Sequence, residues 1–202
     1  MSGPAFHNVE QGTDEWLALR VGLITASRVS AVLSTGKGRA DYMYQLIAER
    51  AVGGPTSRYS NAAMQWGIDT EPRARYNYEL VYELDVVQVG FVTNHNNPGV
   101  GVSPDGLVGS DGLIEIKCPN TETHMAYRYE GRVPPVYRAQ IQCQLWITER
   151  QWCDFVSFDP RVLDERALFC TRMERDEKYI AEMATAVDAF ISEMRVREAS
   201  TY

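Results

Sequence analysis

The order of patterns along this chain predicts an α/β fold, with a central mixed β-sheet flanked by helices on both faces. Three observations carry that prediction. Amphipathic stretches at helical spacing dominate the first 83 residues and the C-terminal end. Short apolar, β-branched runs over 86–93, 113–118, 152–158 and 167–173 are bounded by turn residues and lie in the middle and second half. A helical stretch over 120–148 separates the two pairs of strands, an order that suits a layered α/β arrangement.

The elements follow in order. Residues 13–20 form a short helix capped by Thr13 and broken by Gly22, because a threonine hydroxyl satisfies a free N–H of the first turn. Thr25 or Ser27 starts a second helix through Val29, Val32 and Leu33. Residues 34–39, Ser-Thr-Gly-Lys-Gly-Arg, are a basic loop that lacks the G-x4-G-K-[ST] spacing of a nucleotide-binding loop. A helix over 41–51 ends at Gly53-Gly54-Pro55, and a mobile polar connection leads to residue 60. Residues 61–83 are the long helix of the N-terminal half, 86–93 a strand, 94–99 a turn and 100–118 a hairpin. Asn120 and Thr121 cap a helix to about residue 129, Gly131 and Pro134-Pro135 interrupt it, and 136–148 resumes it. In the terminal helix Ile180, Met183, Val187, Phe190, Ile191 and Met194 fall on one face. Tyr44, Leu46, Ile47, Leu80, Val81, Leu84, Trp146 and Phe155 are expected in the core. No repeat or linker divides the chain, which reads as one domain over 1–202.

Composition narrows the classes. With 45% hydrophobic and 23% charged residues this is an ordinary globular protein. No run approaches the roughly 20 apolar residues of a membrane span, and the N-terminus lacks a signal-like stretch. Cys118, Cys143, Cys153 and Cys170 form no C-x-x-C pair, so they read as reduced core thiols of a cytoplasmic protein rather than zinc or iron–sulfur ligands. The net charge of −7 argues against broad non-specific contact with DNA. A nucleic-acid substrate would need basic residues concentrated locally.

The segment 103–117 holds the candidate chemistry: Ser103-Pro104-Asp105-Gly106, then Glu115-Ile116-Lys117. Glycines 106, 109 and 112 let the chain turn back, and 113–118 alternates as a strand. Glu115 and Lys117 then share one face, about 7 Å apart at Cα, while Ile114, Ile116 and Cys118 share the other. A polar pair in so apolar a strand is costly unless compensated, for instance by a metal. Oxygen ligands from Asp105 and Glu115 suit Mg²⁺, and the chemistry that fits is phosphodiester hydrolysis. Lys117 would deprotonate or hold the attacking water, or neutralise phosphate charge. Taken alone, a Glu-x-Lys strand also suits a surface ion pair. Glu71, in the long helix, offers a third carboxylate or a simple partner for Arg75 four residues on. Gln140 and Gln144 share a helix face that reads as structural, although amides there could orient a phosphate or water. Arg20 and Ser27 flank the break at Gly22 and could hold a terminal phosphate, or be a surface arginine and a helix cap. His7, His95 and His124 lack metal-ligand spacing, and Asp111 suits the hairpin turn.

Six segments in the same order carry a family resemblance: Glu10-Gln11-Gly12 through Trp16, Leu19-Arg20, Gly22 and Ile24-Thr25-Ala26-Ser27; Trp66-Gly67 with Glu71; Ser103-Pro104-Asp105-Gly106-Leu107; Glu115-x-Lys117-Cys118-Pro119; Ala139-Gln140-x-Gln142; and Glu174 to Tyr179. They resemble the phage-type alkaline exonucleases, the YqaJ-like viral recombinase exonucleases that include the phage lambda enzyme, within the restriction-endonuclease-like PD-(D/E)xK nucleases. The resemblance implies a restriction-endonuclease-like central mixed β-sheet. It implies a Mg²⁺-dependent 5′→3′ exonuclease, with Mn²⁺ able to substitute and two ions per site, that degrades one strand of duplex DNA from 5′-phosphorylated ends. Mononucleotides would be released and 3′ single strands left for recombination by annealing. Asp105, Glu115, the Ile116 carbonyl and Glu71 are implied as metal ligands, and Lys117 as the catalytic lysine. Arg20, Ser27, Ser103 and Gln140 are implied at the terminal and scissile phosphates, with Trp16 and the loop after Leu33 near DNA. A toroidal homotrimer, a single-strand annealing partner and a phage or prophage origin in a bacterial cytoplasm are implied too. A closed ring could hide a basic lining inside an acidic exterior. The shortened ends and compressed loop at 34–39 depart from the lambda enzyme. The alternatives are a structure-specific or restriction-type endonuclease on the same fold, and a catalytically weak DNA-end-binding protein.

Overall fold

A computed structural model describes residues 3–56 and 61–200 of the chain. The end of the expected polar connection, residues 57–60, lies outside the described residues. The elements are β1 (Pro4–His7), α1 (Asp14–Arg20), β2 (Ile24–Thr25), a 3₁₀ turn (Ala26–Arg28), α2 (Val29–Leu33), α3 (Lys37–Val52) and α4 (Ala62–Tyr82). They continue with β3 (Val86–Val87), β4 (Phe91–Asn94), β5 (Val100–Val102), β6 (Gly106–Val108), β7 (Gly112–Lys117), α5 (Thr121–Glu130) and α6 (Pro135–Thr148). The chain ends with β8 (Trp152–Phe158), a 3₁₀ turn (Glu165–Ala167), β9 (Leu168–Glu174) and α7 (Glu177–Ala199).

The strands form two mixed sheets, one of five strands in the order β3-β6-β7-β8-β9 and one of four in the order β1-β4-β5-β2. In the larger, β7 and β8 run parallel with Glu115 opposite Phe155, and the remaining pairs are antiparallel. The expected strand over 86–93 is divided, its halves going to different sheets. At the break, a Cβ on Gly90 would stand 1.9 Å from the Val9 carbonyl oxygen, so only glycine allows this approach. The expected hairpin over 100–118 is likewise divided. Only β6 and β7 pair, while β5 joins the smaller sheet beyond Ser103-Pro104-Asp105. Pro104 has no N–H to continue a ladder.

The larger sheet is covered on both faces. Ile114, Ile116, Val156 and Phe158 pack with Ala74 and Tyr78 of α4, and Leu113, Cys153 and Phe155 pack with Ile141 and Leu145 of α6. A third core joins α2, α3, α6, α7 and the smaller sheet through Leu46, Val92, Val102, Trp146 and Phe190. Of the residues expected inside, Leu46, Trp146 and Phe155 are buried, but Tyr44, Leu80, Val81 and Leu84 are exposed. In α4 the buried positions are Thr70, Ala74, Arg75 and Tyr78, and the 3.6-residue period turns Leu80 and Val81 away from them. Side chains of Asn61, Asn120 and Asp176 cap α4, α5 and α7. The basic loop is shorter than expected, since α3 already begins at Lys37. The cysteines are free thiols, with Cys143 and Cys153 fully buried.

Candidate active site

The turn into β6, strand β7 and helices α4 and α6 together place the side chains of the site. Asp105 follows Pro104 at the entry to β6, and its Oδ2 accepts the Ile116 N–H of β7 at 2.6 Å. Gln11 ties this crossing down by donating its amide to the Pro104 and Val89 carbonyls at 3.2 and 3.0 Å. Glu115 stands in the middle of the sheet with 1% of its side chain exposed. Its Oε1 accepts from Lys117 Nζ and from Gln140 Nε2, each at 2.5 Å. Its Oε2 accepts from Gln144 Nε2 at 2.7 Å. The Lys117 ammonium also lies 5.2 Å from the Tyr137 ring centroid, a cation–π contact. Glu71 of α4 is ion-paired with Arg75 one turn on. Glu71, Asp105, Ile116, Lys117 and Tyr137 line one cavity of about 360 Å³.

The electrostatics are crowded. Burial first, and then the charges of Glu115 and Glu71, push the Asp105 carboxyl well above its usual range, against the pull of Lys117 and the Ile116 N–H. Burial raises Glu71 too. Arg75 opposes that shift and Glu115 adds to it. Burial would depress the Lys117 ammonium, but Glu115 and Asp105 outweigh it and hold Lys117 above the ordinary lysine range. Among the described residues no three His, Cys, Asp or Glu side chains stand ready as a ligand cluster. Glu115 is turned onto Lys117 and two amides, and Glu71 onto Arg75. The donor set nevertheless fits a hard divalent cation. Carboxylate oxygens and a backbone carbonyl are the ligands Mg²⁺ takes, and a cation relieves the like-charge crowding that raises Asp105 and Glu71.

The residues expected near phosphate divide. Trp16 Nε1 donates to Ser103 Oγ at 2.9 Å and to the Gly90 carbonyl at 3.0 Å, and Arg20 Nη1 reaches Ser103 Oγ at 3.4 Å. The Arg20 guanidinium stacks 3.9 Å from the Trp16 ring centroid. Ser103 therefore joins this cluster, while Asp105, two residues on, lines the carboxylate cavity. Arg20 also lines a second cavity of about 160 Å³ with Thr25, Arg28 and Tyr42. Ser27 is exposed in the 3₁₀ turn, which has no side-chain cap bond, so it does not start a helix beside Arg20 as expected. Sequence reasoning passed over Arg28 and Tyr137, and it read the face shared by Gln140 and Gln144 as structural. The structure turns both amides of that face, one turn apart on α6, onto Glu115. The histidines stay outside: His7 bonds Thr93, and His124 is buried between Ser157 and the Arg166 carbonyl.

Comparison with known proteins adds to this geometry. Residues 15–151 match the YqaJ-like viral recombinase domain. An alkaline exonuclease (LHK-Exo) from Laribacter hongkongensis is 46% identical and superposes with a TM-score of 0.89 over 94% of this chain and 96% of its own. The same protein is known in complex with dAMP. A phage-related exonuclease from Haemophilus somnus 129PT, 17% identical over 85% of this chain and 96% of its own with a TM-score of 0.57, shares the fold. A protein of Acanthamoeba polyphaga mimivirus, R354, is 26% identical over 160 residues, which cover 73% of this chain and 29% of that protein's length.

Proposed function

Since the chain belongs to the family of YqaJ-like viral recombinase domains, we propose that it is a metal-dependent exonuclease that degrades one strand of duplex DNA 5′→3′ from 5′-phosphorylated ends. The observation that carries this reading is the convergence of Asp105, the Ile116 backbone and Lys117 on one cavity, with Glu115 bonded to that lysine, in a fold closely shared with an alkaline exonuclease. Asp105, Glu115 and the Ile116 carbonyl would hold Mg²⁺ or Mn²⁺, with Glu71 joining at a second ion. The metal, when bound, supplies Lewis acidity and charge neutralisation at the scissile phosphate.

The chain's own groups do the rest. Lys117, bonded to Glu115 Oε1, deprotonates or holds the attacking water, or neutralises phosphate charge. Gln140, which bonds the same carboxylate oxygen as Lys117, positions water or phosphate beside it. Arg20, backed by Trp16 and Ser103, clamps the terminal 5′-phosphate with charge-assisted bonds. Arg28 and exposed Ser27 stand on the neighbouring turn. The product class is a deoxynucleoside monophosphate, as the dAMP bound by the related exonuclease suggests.

The reading extends to one domain over 1–202, a homotrimer, a single-strand annealing partner and a phage-encoded protein in a bacterial cytoplasm. No helix among the described residues is long and apolar enough to cross a membrane.

A time course on linear duplex labelled separately at its 5′ and 3′ ends, with a covalently closed circle alongside, tests the reading. Early release of the 5′ label with the circle intact is expected. Early loss of the 3′ label, or nicking of circles, would reject it.

A further inference from the structure

Gln144 stands out among the polar side chains near the cavity. It is fully buried at 0% exposure, yet its Oε1 has no hydrogen-bond partner among the described residues. Its Nε2 spends its bond on Glu115 Oε2 at 2.7 Å. Turning the amide over would aim its oxygen at Glu115 Oε2, so the bond to Glu115 dictates the orientation and leaves the carbonyl stranded. A stranded buried carbonyl is unfavourable, and an apolar side chain of similar length would avoid it.

The two oxygens of Glu115 are not equivalent. Oε1 is shared by Lys117, which lines the cavity, and by half-buried Gln140. Both donors can turn toward water or phosphate. Among the described residues Oε2 has one partner, Gln144, and that side chain is fully buried. Helix α6 thus grips one carboxylate with amides one turn apart, on a yielding side and a fixed side.

From this asymmetry we infer that Gln144 is a positioning residue for the metal centre. It pins Glu115 Oε2 and so assigns Oε1 to the cation. The inference rests on the reading of Glu115 as a metal ligand. It goes beyond that reading by placing control of metal affinity at a residue that touches neither metal nor DNA.

The test uses the full chain and the Gln144→Met variant, with Glu115→Ala as control, titrated calorimetrically with Mg²⁺ in the absence of DNA. Gln144→Met should fold but melt lower than wild type, because buried Glu115 Oε2 loses its donor, and should bind Mg²⁺ about 10–100-fold more weakly, the scale for removing a group that orients a ligand. Its digestion rate should recover toward wild type at high Mg²⁺. Unchanged Mg²⁺ affinity in Gln144→Met, with binding lost in Glu115→Ala, would overturn the role of Gln144 and leave the site reading standing. Unchanged affinity in both variants would overturn the site reading and this inference with it. If Gln144→Met does not fold, Gln144→Leu carries the same measurements. Loss of fold in both would make Gln144 a packing residue and overturn the inference.

Discussion

Two carboxylates on the larger sheet have opposite surroundings. Asp154 on β8 accepts both arms of the Arg172 guanidinium at 2.8 and 2.9 Å, and the Tyr78 hydroxyl at 2.8 Å. The guanidinium in turn stacks 3.5 Å from the Trp152 ring centroid. Asp105, across the strand order, has the Ile116 N–H as its bonded partner. Burial first, and then the charges of Glu115 and Glu71, push its carboxyl well up. The first group is neutralised locally and ties β8 to β9 and α4. The second is left in electrostatic conflict, which adds nothing to folding and suits a cation from solution. A balanced buried charge therefore reads as structural here, and an unbalanced one as functional.

The contrast can be broken by mutation. Asp105→Ala should fold and abolish metal-dependent digestion of linear duplex, because the loss of a ligand removes activation and charge stabilisation together. Near-normal digestion would sink the assignment. Lys117→Ala should bind Mg²⁺ and DNA ends but cleave at least about 100-fold more slowly. An unchanged rate, or an unfolded variant by thermal melting, contradicts the role. In the balanced region the effect moves to stability. Arg172→Met leaves buried Asp154 with the Tyr78 hydroxyl but without its guanidinium and should cost about 1–3 kcal/mol in denaturant unfolding, with the cleavage rate of the folded protein unchanged. A slowed rate at full folding would dissolve the contrast. The smallest effect is expected at Arg20. Arg20→Ala should reduce the preference for 5′-phosphorylated over 5′-hydroxyl ends several-fold, roughly one lost charge-assisted contact, while the hydrolytic centre stays active. An undiminished preference in competition digests would remove Arg20 from the end-binding role.

The layered α/β class was legible in the sequence because its long elements carry strong periodicity. The face of α7 through Ile180, Met183, Val187, Phe190 and Met194 is buried as its spacing implies. Strands β1 and β2 were not legible. They are four and two residues long, too short for a period to show, and tertiary pairing holds them. The split at Gly90 was hidden too, since the close approach of Val9 is a contact between distant elements. In the site, Asp105, Glu115 and Lys117 were legible because alternation on β7 sets which side chains share a face. Their partners on other elements were harder to see. The pairing of Glu71 with Arg75 follows from helical spacing, but the grip of Gln144 on Glu115 depends on how α6 lies against β7.

The most direct test of the unbalanced cleft is thermal melting of wild type and Asp105→Asn at alkaline pH, with and without Mg²⁺. The Asp105 carboxyl is raised in the folded protein above its ordinary 3.8. The metal-free native state therefore binds the proton more tightly than the unfolded chain, and stability falls as pH climbs above that value until the folded group has ionised. The neutral isostere lacks this penalty and can still accept the Ile116 N–H. The account predicts that metal-free Asp105→Asn melts higher than wild type at alkaline pH, and that Mg²⁺ raises the melting temperature of wild type while leaving the variant nearly unmoved. A metal-free variant that melts lower than wild type, or an equal Mg²⁺ gain in both proteins, would contradict it.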